Sequence, residues 1–360
     1  MTPHEQKLIP AAAAFRKALL AWFAAHQRPL PWRTEVSAYR TVVSELMCQQ
    51  TQIATALPYF NRWVARWPDF PALARAQEAD VLAAWAGLGY YTRARNLLAL
   101  AQQVAGRPEP RTAAEWQAFK GVGPYTATAI ASIAFHEPVA VVDGNVVRVL
   151  ARLGGVRTRF KETTTAAKSF TPLANALVDP QRPGDHNQAM MELGATVCRK
   201  AAPACAQCPV ARWCAVGGRK EAATLPRFEP KVRKTAEVTR ALVHHRGQLL
   251  LRRNPRAARR LAGMAELPEL AELPELATLA GAVPGRPALV RRRTIGSVTY
   301  QETLIEVVAT AASIRAWSRA AELEWVAVAE LDTVALTGPH LRWVREWLSP
   351  SDRPARGKRL

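Results

Sequence analysis

The sequence has few acidic residues, few cysteines and no long apolar run. Its 360 residues contain 29 Asp and Glu against 49 Lys and Arg, so the formal charge at pH 7 is +20. The apolar stretch that begins at Ala11 ends at Arg16, and it is too short to span a bilayer or to act as an export signal. We therefore expect a cytoplasmic protein without membrane contacts, whose partner is a polyanion, with nucleic acid favoured over a membrane surface.

Four of the five cysteines are crowded into one segment, with six, two and five residues between them: Cys198, Cys205, Cys208 and Cys214. In a reducing compartment this crowding favours metal ligation over disulfides. Four-cysteine zinc sites generally use two close pairs with a long separation, whereas a cubane iron–sulfur cluster can take its ligands from one irregular loop. The spacing favours a cluster, with zinc as the alternative. Cys48 lies in a predicted helix and is expected to be a packed thiol.

The apolar pattern divides the chain into two domains. Ala-rich apolar residues recur at helical spacing over about residues 7–197, where only residues 138–142 have a strand-like pattern. We predict a helical domain over residues 1–218, a linker over 219–235, a second domain over 236–348 and a basic disordered tail over 349–360. In the second domain, residues 237–243 and 248–251 flank a turn and predict a hairpin, and residues 297–310 and 324–328 predict further strands of an α+β fold.

A glycine-rich turn precedes a predicted helix at Lys120-Gly121-Val122-Gly123-Pro124. The glycines allow a tight turn, and Pro124 suits the first position of a helix, so backbone N–H groups can face a phosphate. An ordinary helix-joining turn is the alternative. Because helices flank the turn and the chain is basic, the segment resembles a helix-hairpin-helix motif, which grips the DNA backbone without reading sequence.

Two carboxylates stand out as candidates for acid–base chemistry. Glu45 borders an apolar stripe, and partial burial there would raise its pKa and keep a proton available for a leaving group. Asp143 begins a predicted helix, whose N-terminus favours the ionised form. The alternatives are a solvated helix glutamate and a helix N-cap.

Several motifs together resemble the adenine DNA glycosylases of the endonuclease III superfamily, over roughly residues 15–214 and more weakly in the second domain. They occupy residues 30–33 (LPWR), 44–52 (SELMCQQTQ), 87–91 (GLGYY) and 187–192 (NQAMME). The resemblance implies a mainly α, two-lobed helix-hairpin-helix core, with a [4Fe–4S] cluster held by the four crowded cysteines. It also implies a C-terminal α+β domain that is Nudix-like.

The same resemblance assigns roles to individual residues. Glu45 would protonate N7 of adenine, and Asp143 would stabilise the sugar cation or bond to it transiently, positioned by Asn145. Tyr125 matches an active-site tyrosine found in part of the family. Trp32, Arg33 and Glu192 would line the adenine pocket. The residues expected at the DNA, with Gln50 and Tyr90 wedged beside the extruded base, are Gln50, Thr51, Leu88, Tyr90, Lys120, Gly121, Val122 and Gly123.

The implied function is removal of adenine mispaired with 8-oxoguanine or guanine in double-stranded DNA, by a monomer with little or no strand-cutting activity. The main enzymatic rival, an endonuclease III type lyase, uses a Schiff-base lysine where this chain has Tyr125, and Lys120 lies elsewhere on the turn. The non-enzymatic alternative is an iron–sulfur DNA-binding protein that has lost chemistry. Only Glu45 and Asp143, in their contexts, separate the two.

The second domain resembles the Nudix-like domain that senses 8-oxoguanine in these glycosylases. The acidic metal-binding box of a Nudix hydrolase is absent, which argues against nucleotide hydrolysis. The family's lesion-reading loop is not found either, and the best alignment places Tyr300, Gln301 and Glu302 there. The strength of the preference for 8-oxoguanine over guanine is therefore left open.

Overall fold

The computed structural model describes residues 2–230, 234–255, 263–273, 287–295 and 298–349. The chain divides into two compact units. The first, here called the helical unit, comprises Met1–Ala76 and Thr92–Pro230. The second, here called the mixed unit, comprises Gln77–Tyr91 and Lys231–Leu360, so residues 77–91 group with the C-terminal part of the chain.

The chain before residue 200 is helical, as predicted. Its helices are α1 (Pro3–Leu8), α2 (Ala12–His26), α3 (Pro31–Thr34), α4 (Ala38–Cys48), α5 (Ile53–Arg66), α6 (Phe70–Ala74), α7 (Glu78–Trp85), α8 (Thr92–Val104), α9 (Ala113–Gln117), α10 (Pro124–Phe135), α11 (Gly144–Gly154), α12 (Thr163–Leu177) and α13 (Pro183–Thr196). Of these, α7 belongs to the mixed unit. Among the described residues, none of the helices combines the length and the apolar character needed to cross a bilayer.

The core of the helical unit forms around α11, which packs against α1, α12 and α13, while α2 packs against α12 and α13. Leu150 of α11, Phe15 of α2 and Leu193 of α13 are fully buried in it. Helix α11 begins at the N-cap Asp143 and ends at Gly155, whose left-handed φ of 64° closes the helix. The N-terminus of α11 is thus held at a defined place in the unit.

The predicted strand at residues 138–142 is wrong, because no ladder partner pairs with this segment among the described residues. Side chains from distant helices take its backbone groups instead. Ala140 N–H donates to Asn175 Oδ1 at 2.9 Å, and Val141 N–H donates to Asn187 Oδ1 at 3.0 Å. The amide of Asn187 also donates to the carbonyl of Val139 at 2.8 Å. These bonds hold an extended chain that leads into Asp143.

Residues 219–230, the first part of the predicted linker, are folded as part of the helical unit. A parallel pair joins β1 (Arg159–Phe160) to β2 (Arg227–Phe228), which lies inside the predicted linker. A short 3-10 helix covers Lys220–Thr224, and Leu225 is buried and accepts a hydrogen bond from Arg152 Nε at 3.1 Å. The boundary between the two units falls only after residue 230.

The mixed unit contains a six-stranded sheet. Its strands are β3 (Lys234–His245), β4 (Gln248–Arg253), β5 (Ala265–Glu266), β6 (Pro287–Ile295), β7 (Val298–Val307) and β8 (Leu323–Ala327). The order is β5-β4-β3-β7-β6, with β8 also paired to β4; β3 and β7 are parallel and the other pairs are antiparallel. The predicted hairpin is confirmed as β3–β4, and the two further predicted strands are β7 and β8.

Helices α14 (Ala311–Trp317) and α15 (Gly338–Leu348) also belong to the mixed unit. The residues aligned with a lesion-reading loop lie inside β7, where Tyr300 pairs with Arg293 and Gln301 with Arg292. Glu302 is fully buried, so its side chain is not available to contact a base. Residues 296–297, between β6 and β7, and the predicted tail after residue 349 lie outside the described residues.

Candidate active site

A large cavity of about 1220 Å³, which is ample for a nucleotide, lies in the helical unit. Residues from α3, α4, α10, α12, α13 and the start of α11 form its walls. Nine residues predicted from the sequence line it together: Trp32, Arg33, Glu45, Gln50, Thr51, Tyr125, Asp143, Asn145 and Glu192.

Helix α4 positions Glu45. The helix starts at Ser37, whose hydroxyl accepts the N–H of Arg40 at 3.1 Å, and it packs its buried face against α10. Tyr125, in the first turn of α10, donates its O–H to Glu45 Oε2. Burial raises the pKa of Glu45 to about 7, although the Tyr125 hydrogen bond acts in the opposite direction. Glu45 is therefore a carboxylic acid that still holds a proton near neutral pH.

Tyr125 is itself held in place on both sides. Its hydroxyl also lies 3.7 Å from Met191 Sδ on α13. Burial and the neighbouring carboxylates Glu45 and Asp143 raise the pKa of Tyr125 well above its ordinary value. The phenol therefore stays protonated near neutral pH, and its O–H remains available as a neutral donor.

Asp143 receives several donors at the start of α11. Val146 N–H donates to its Oδ1 at 2.7 Å, and the Asn145 amide donates to its Oδ2 at 2.8 Å. Arg148 in turn donates to Asn145 Oδ1 at 2.8 Å, which fixes the orientation of that amide. Burial raises the pKa of Asp143, and these hydrogen bonds oppose the rise. Asp143 is thus both an N-cap and a carboxylate at the cavity wall.

Three residues at the wall of the cavity form an ion-pair cluster around the buried Glu192. Two of them, Arg33 and Glu192, were predicted from the sequence. Glu192 is 1% exposed and pairs with Arg33 at 2.8 Å. Arg28, which was not predicted, binds the same carboxylate through two bonds of 2.6 and 2.8 Å. Gln188 accepts from Arg33 at 3.1 Å. Although burial raises the pKa of Glu192, the two arginines lower it below its ordinary value.

Trp32 lies beside this cluster with its ring edge-on to Phe60, at a centroid distance of 4.9 Å.

Arg28 lies only two residues before Leu30 of the LPWR motif, so the sequence showed that it is close to a motif. Its pairing with Glu192, 164 residues away, was not visible in the sequence.

The predicted DNA-contact residues fall into three places. Gln50 and Thr51 lie on the turn between α4 and α5, at the cavity, and Gln50 has a left-handed φ of 56°. Lys120 to Gly123 form the turn before α10 and lie outside the cavity lining. Gly121 has φ of 92°, and a Cβ there would lie 3.1 Å from Asn96, so the turn requires glycine.

Leu88 and Tyr90 belong to the mixed unit, on the turn that follows α7. Leu88 is buried, whereas Tyr90 is 58% exposed with a left-handed φ of 49°. Trp85 Nε1–H donates to the carbonyl of Gly89 at 3.1 Å and fixes this turn. Tyr90 is therefore presented on a constrained turn.

The four crowded cysteines lie on an irregular loop after α13, with short 3-10 helices at Cys205–Gln207 and Ala211–Trp213. Burial, followed by repulsion from the other three thiols, raises the pKa of Cys208 to about 11. Arg152 lies 3.2 Å from Cys198 Sγ. Within the described residues, no three His, Cys, Asp or Glu side chains are arranged as ligands of a metal ion.

Helix α11 connects the cavity with the cysteine loop. Asp143 caps its N-terminus, and Arg148, one turn further on, donates to the carbonyl of Cys198 at 2.8 Å and to that of Gly194 at 2.7 Å. Arg152 donates to the carbonyls of Arg199 and Lys200, each at 2.8 Å. The loop is thereby fixed to the helix whose first turn carries Asp143.

Part of the chain is similar in sequence to known proteins. Residues 43–173 match the family model described as HhH-GPD superfamily base excision DNA repair protein. The chain is similar to proteins named adenine DNA glycosylase: it is 47% identical to the human one, over 58% of this chain and 40% of that protein. It is 38% identical to the one from Mycolicibacterium smegmatis, over 55% of this chain and 69% of that protein.

The aligned part of the chain spans about two fifths of the length of the Arabidopsis thaliana and human relatives, 36% and 40% respectively. Among solved structures, a thermostable thymine-DNA glycosylase superposes with a TM-score of 0.51 at 25% identity. The superposition covers 57% of this chain and 96% of that one.

Proposed function

We propose that this chain, which belongs to the adenine DNA glycosylase family, hydrolyses the N-glycosidic bond of adenine mispaired with 8-oxoguanine or guanine in double-stranded DNA. The observation that carries the proposal is the meeting of Glu45 and Asp143 at one cavity, with Tyr125 bonded to Glu45. Cleavage of a glycosidic bond requires an acid for the leaving group and a carboxylate beside the cationic sugar. These two residues supply both.

Glu45 is the general acid in this proposal. With a pKa of about 7 it carries a proton that it can transfer to N7 of an adenine in the cavity. Tyr125 holds one carboxyl oxygen and leaves the other free to face the base. Protonated adenine is a far better leaving group, because the electron pair of the broken bond no longer places a negative charge on the ring.

Asp143 faces the positive charge that develops on deoxyribose. Its hydrogen bonds from Val146 and Asn145 favour the ionised form and fix its two oxygens. It then stabilises the oxocarbenium ion or forms a transient bond with it, before water completes the hydrolysis. The pairing of Glu192 with Arg28 and Arg33 provides a rigid wall of donors and acceptors against which the extruded adenine is held.

The cysteine loop is proposed to hold a [4Fe–4S] cluster through Cys198, Cys205, Cys208 and Cys214. The sulfur environment fits an anionic cluster, because Val210 N–H faces Cys208, Val216 N–H faces Cys214 and the Arg152 guanidinium faces Cys198. When bound, the cluster supplies iron–thiolate bonds that brace the loop. Iron and sulfide analysis of the purified protein tests the assignment, and zinc in their place would overturn it.

The mixed unit is proposed to be the Nudix-like, lesion-sensing part of the enzyme. Its mixed sheet with flanking helices supports a Nudix-like assignment. Within this proposal, contacts to the base opposite adenine come from residues other than the buried Glu302. The preference for 8-oxoguanine over guanine is then measured as the ratio of excision rates for the two mispairs.

The deciding experiment compares base release from duplexes that carry adenine opposite 8-oxoguanine, adenine opposite guanine, and oxidised pyrimidines. We expect adenine release from the first two alone, without strand cleavage and without an efficient borohydride-trapped adduct. Glu45→Gln should abolish release while DNA binding persists. Release of oxidised pyrimidines, or efficient trapping, would favour a lyase; binding without release by the wild type would favour a protein that has lost chemistry.

A further inference from the structure

One buried arginine on α8 is bound to the end of the helix that carries Glu45. Arg93 is 8% exposed. Its Nη1 donates to the carbonyls of Leu46 at 2.6 Å and Met47 at 3.2 Å, and also to the carbonyl of Gln49. All three acceptors lie in the last turn of α4 or directly after it.

These contacts complete the hydrogen bonding of the helix end. A helix leaves its last carbonyls without partners inside the helix. In α4, the carbonyl of Glu45 accepts from Gln49 N–H at 3.1 Å, and that of Cys48 accepts from Thr51 N–H at 3.2 Å. The remaining acceptors bind Arg93, whose charge also suits the negative end of the helix dipole.

The chain that leaves this helix end is strained. Gln50 has a φ of 56°, a left-handed conformation that a residue with a side chain seldom adopts. The turn persists because both of its ends are fixed. Arg93 binds Leu46 and Gln49 before it, and Gln52 accepts the N–H groups of Thr55 and Ala56 at 2.9 and 3.0 Å at the start of α5. Such strain is maintained only where the surroundings over-determine the backbone.

We infer that Arg93 is a positioning residue for base extrusion: it holds the strained turn so that Gln50 projects at the cavity beside the extruded adenine. This inference rests on the proposed function, and on the wedge role that the resemblance to adenine DNA glycosylases assigns to Gln50. Arg93 acts on the backbone of the turn and has no part in proton transfer. Its loss should therefore impair extrusion of a stacked base more than cleavage of a base that is already free.

The test compares two substrates in single-turnover excision: adenine paired with guanine, and adenine opposite an abasic site, where no pairing opposes extrusion. Arg93→Met should lose on the order of tenfold on the paired substrate, because misplacement by a fraction of an ångström is enough for such a loss. It should lose less than about threefold on the unpaired one. Fluorescence of 2-aminopurine placed beside the adenine should report less unstacking.

Two further variants keep the result interpretable. Arg93→Lys retains a cation that can reach the same carbonyls from one nitrogen, so it should recover part of the loss and remain folded if Arg93→Met does not. Arg107→Met removes the same charge from an exposed position after α8 and should behave as wild type. If either Arg93 variant lost the same fraction of its excision rate on both substrates, Arg93 would have only a structural role and the inference would be wrong. Absence of excision by the wild type would instead refute the proposed function.

Discussion

Replacing Tyr125 with phenylalanine removes the hydrogen bond that this residue donates to Glu45 and keeps the ring. The bond favours the ionised carboxylate, so its loss should raise the pKa of Glu45 above its value of about 7. A hydrogen bond to a charged group contributes about 1.5–3 kcal/mol. The neutral acid would keep a bond of about 0.5–1.5 kcal/mol, so the two forms differ by about 1–1.5 kcal/mol. At about 1.36 kcal/mol per pKa unit, the rise is about one unit.

The consequence is a shift in the pH dependence of excision. Glu45 must hold its proton to donate it, so the wild-type rate should fall as the pH rises through about 7. With a pKa near 8, the variant at pH 8.5 would keep about eightfold more of its acid form than the wild type keeps. Tyr125 does not titrate in this range, because burial raises its own pKa well above the ordinary value. The change in the profile therefore reports Glu45 alone.

Single-turnover release of adenine, measured from pH 5.5 to 9 on an adenine–guanine duplex, checks this prediction. The comparison uses the shape of each profile, so a lower absolute rate in the variant does not affect it. Tyr59→Phe, which removes a phenol elsewhere in the helical unit, is the control and should leave the profile unchanged. An alkaline limb that stays in place or moves to lower pH in Tyr125→Phe would refute the account of how Glu45 keeps its proton.

Three further predictions concern stability and geometry. Glu45→Gln should stabilise the fold at pH 8 but not at pH 4. The pKa of Glu45 is about 7 in the folded protein against an ordinary value of 4.5, so ionisation of the carboxylate destabilises the wild-type fold by up to about 3 kcal/mol. Thermal melts at the two pH values measure the difference in stability, and a gain in stability at pH 4 would contradict the prediction. Glu192→Ala should lower the free energy of unfolding by about 3–5 kcal/mol, because it leaves two partly buried arginines without their ion-pair partner. The control Asp185→Ala removes an exposed ion pair and should lower it by less than about 1 kcal/mol. Urea titrations measure both, and equal losses would show that burial does not decide the difference. Gly194→Ala should abolish excision while DNA binding is retained. The Cβ of the new alanine would lie 2.6 Å from the Cβ of Asn145 and would displace the start of α11. Full excision activity would show that the reaction does not require Asn145 at its present position.

The sequence predicts those parts of the fold that leave a local or periodic signal. The helices before residue 200 follow apolar spacing, and the β3–β4 hairpin follows two apolar runs around a short turn. The predicted strand at residues 138–142 fails because its extended backbone is held by Asn175 and Asn187, side chains that lie 35 to 48 residues away. Such side-chain bonds produce an extended segment without any sheet.

The site was predictable to the extent that single motifs carried it. Glu45, Tyr125 and Asp143 stand in short motifs, and the structure brings all three to one cavity. Arg28 and Arg93 were not foreseen. Each acts through contacts to residues more than 40 positions away, and an arginine that binds a distant carboxylate or carbonyl looks in sequence like any other basic residue.

In the proposed mechanism the two carboxylates differ in function because their surroundings differ, although both are half-buried at the same cavity. Asp143 has a backbone N–H and an amide directed at its oxygens, with Arg148 behind the amide, all of which favour the ionised form. Glu45 accepts a hydrogen bond from the phenol of Tyr125, a neutral donor that offsets only part of the rise in pKa caused by burial. Under the proposed function, one acid would stabilise a cation and the other would release a proton. If the number and charge of the donors set these roles, Asn145→Leu should weaken the stabilisation by Asp143 and lower the excision rate at every pH, without moving the alkaline limb that belongs to Glu45; a moved limb would mean that the two groups titrate as one.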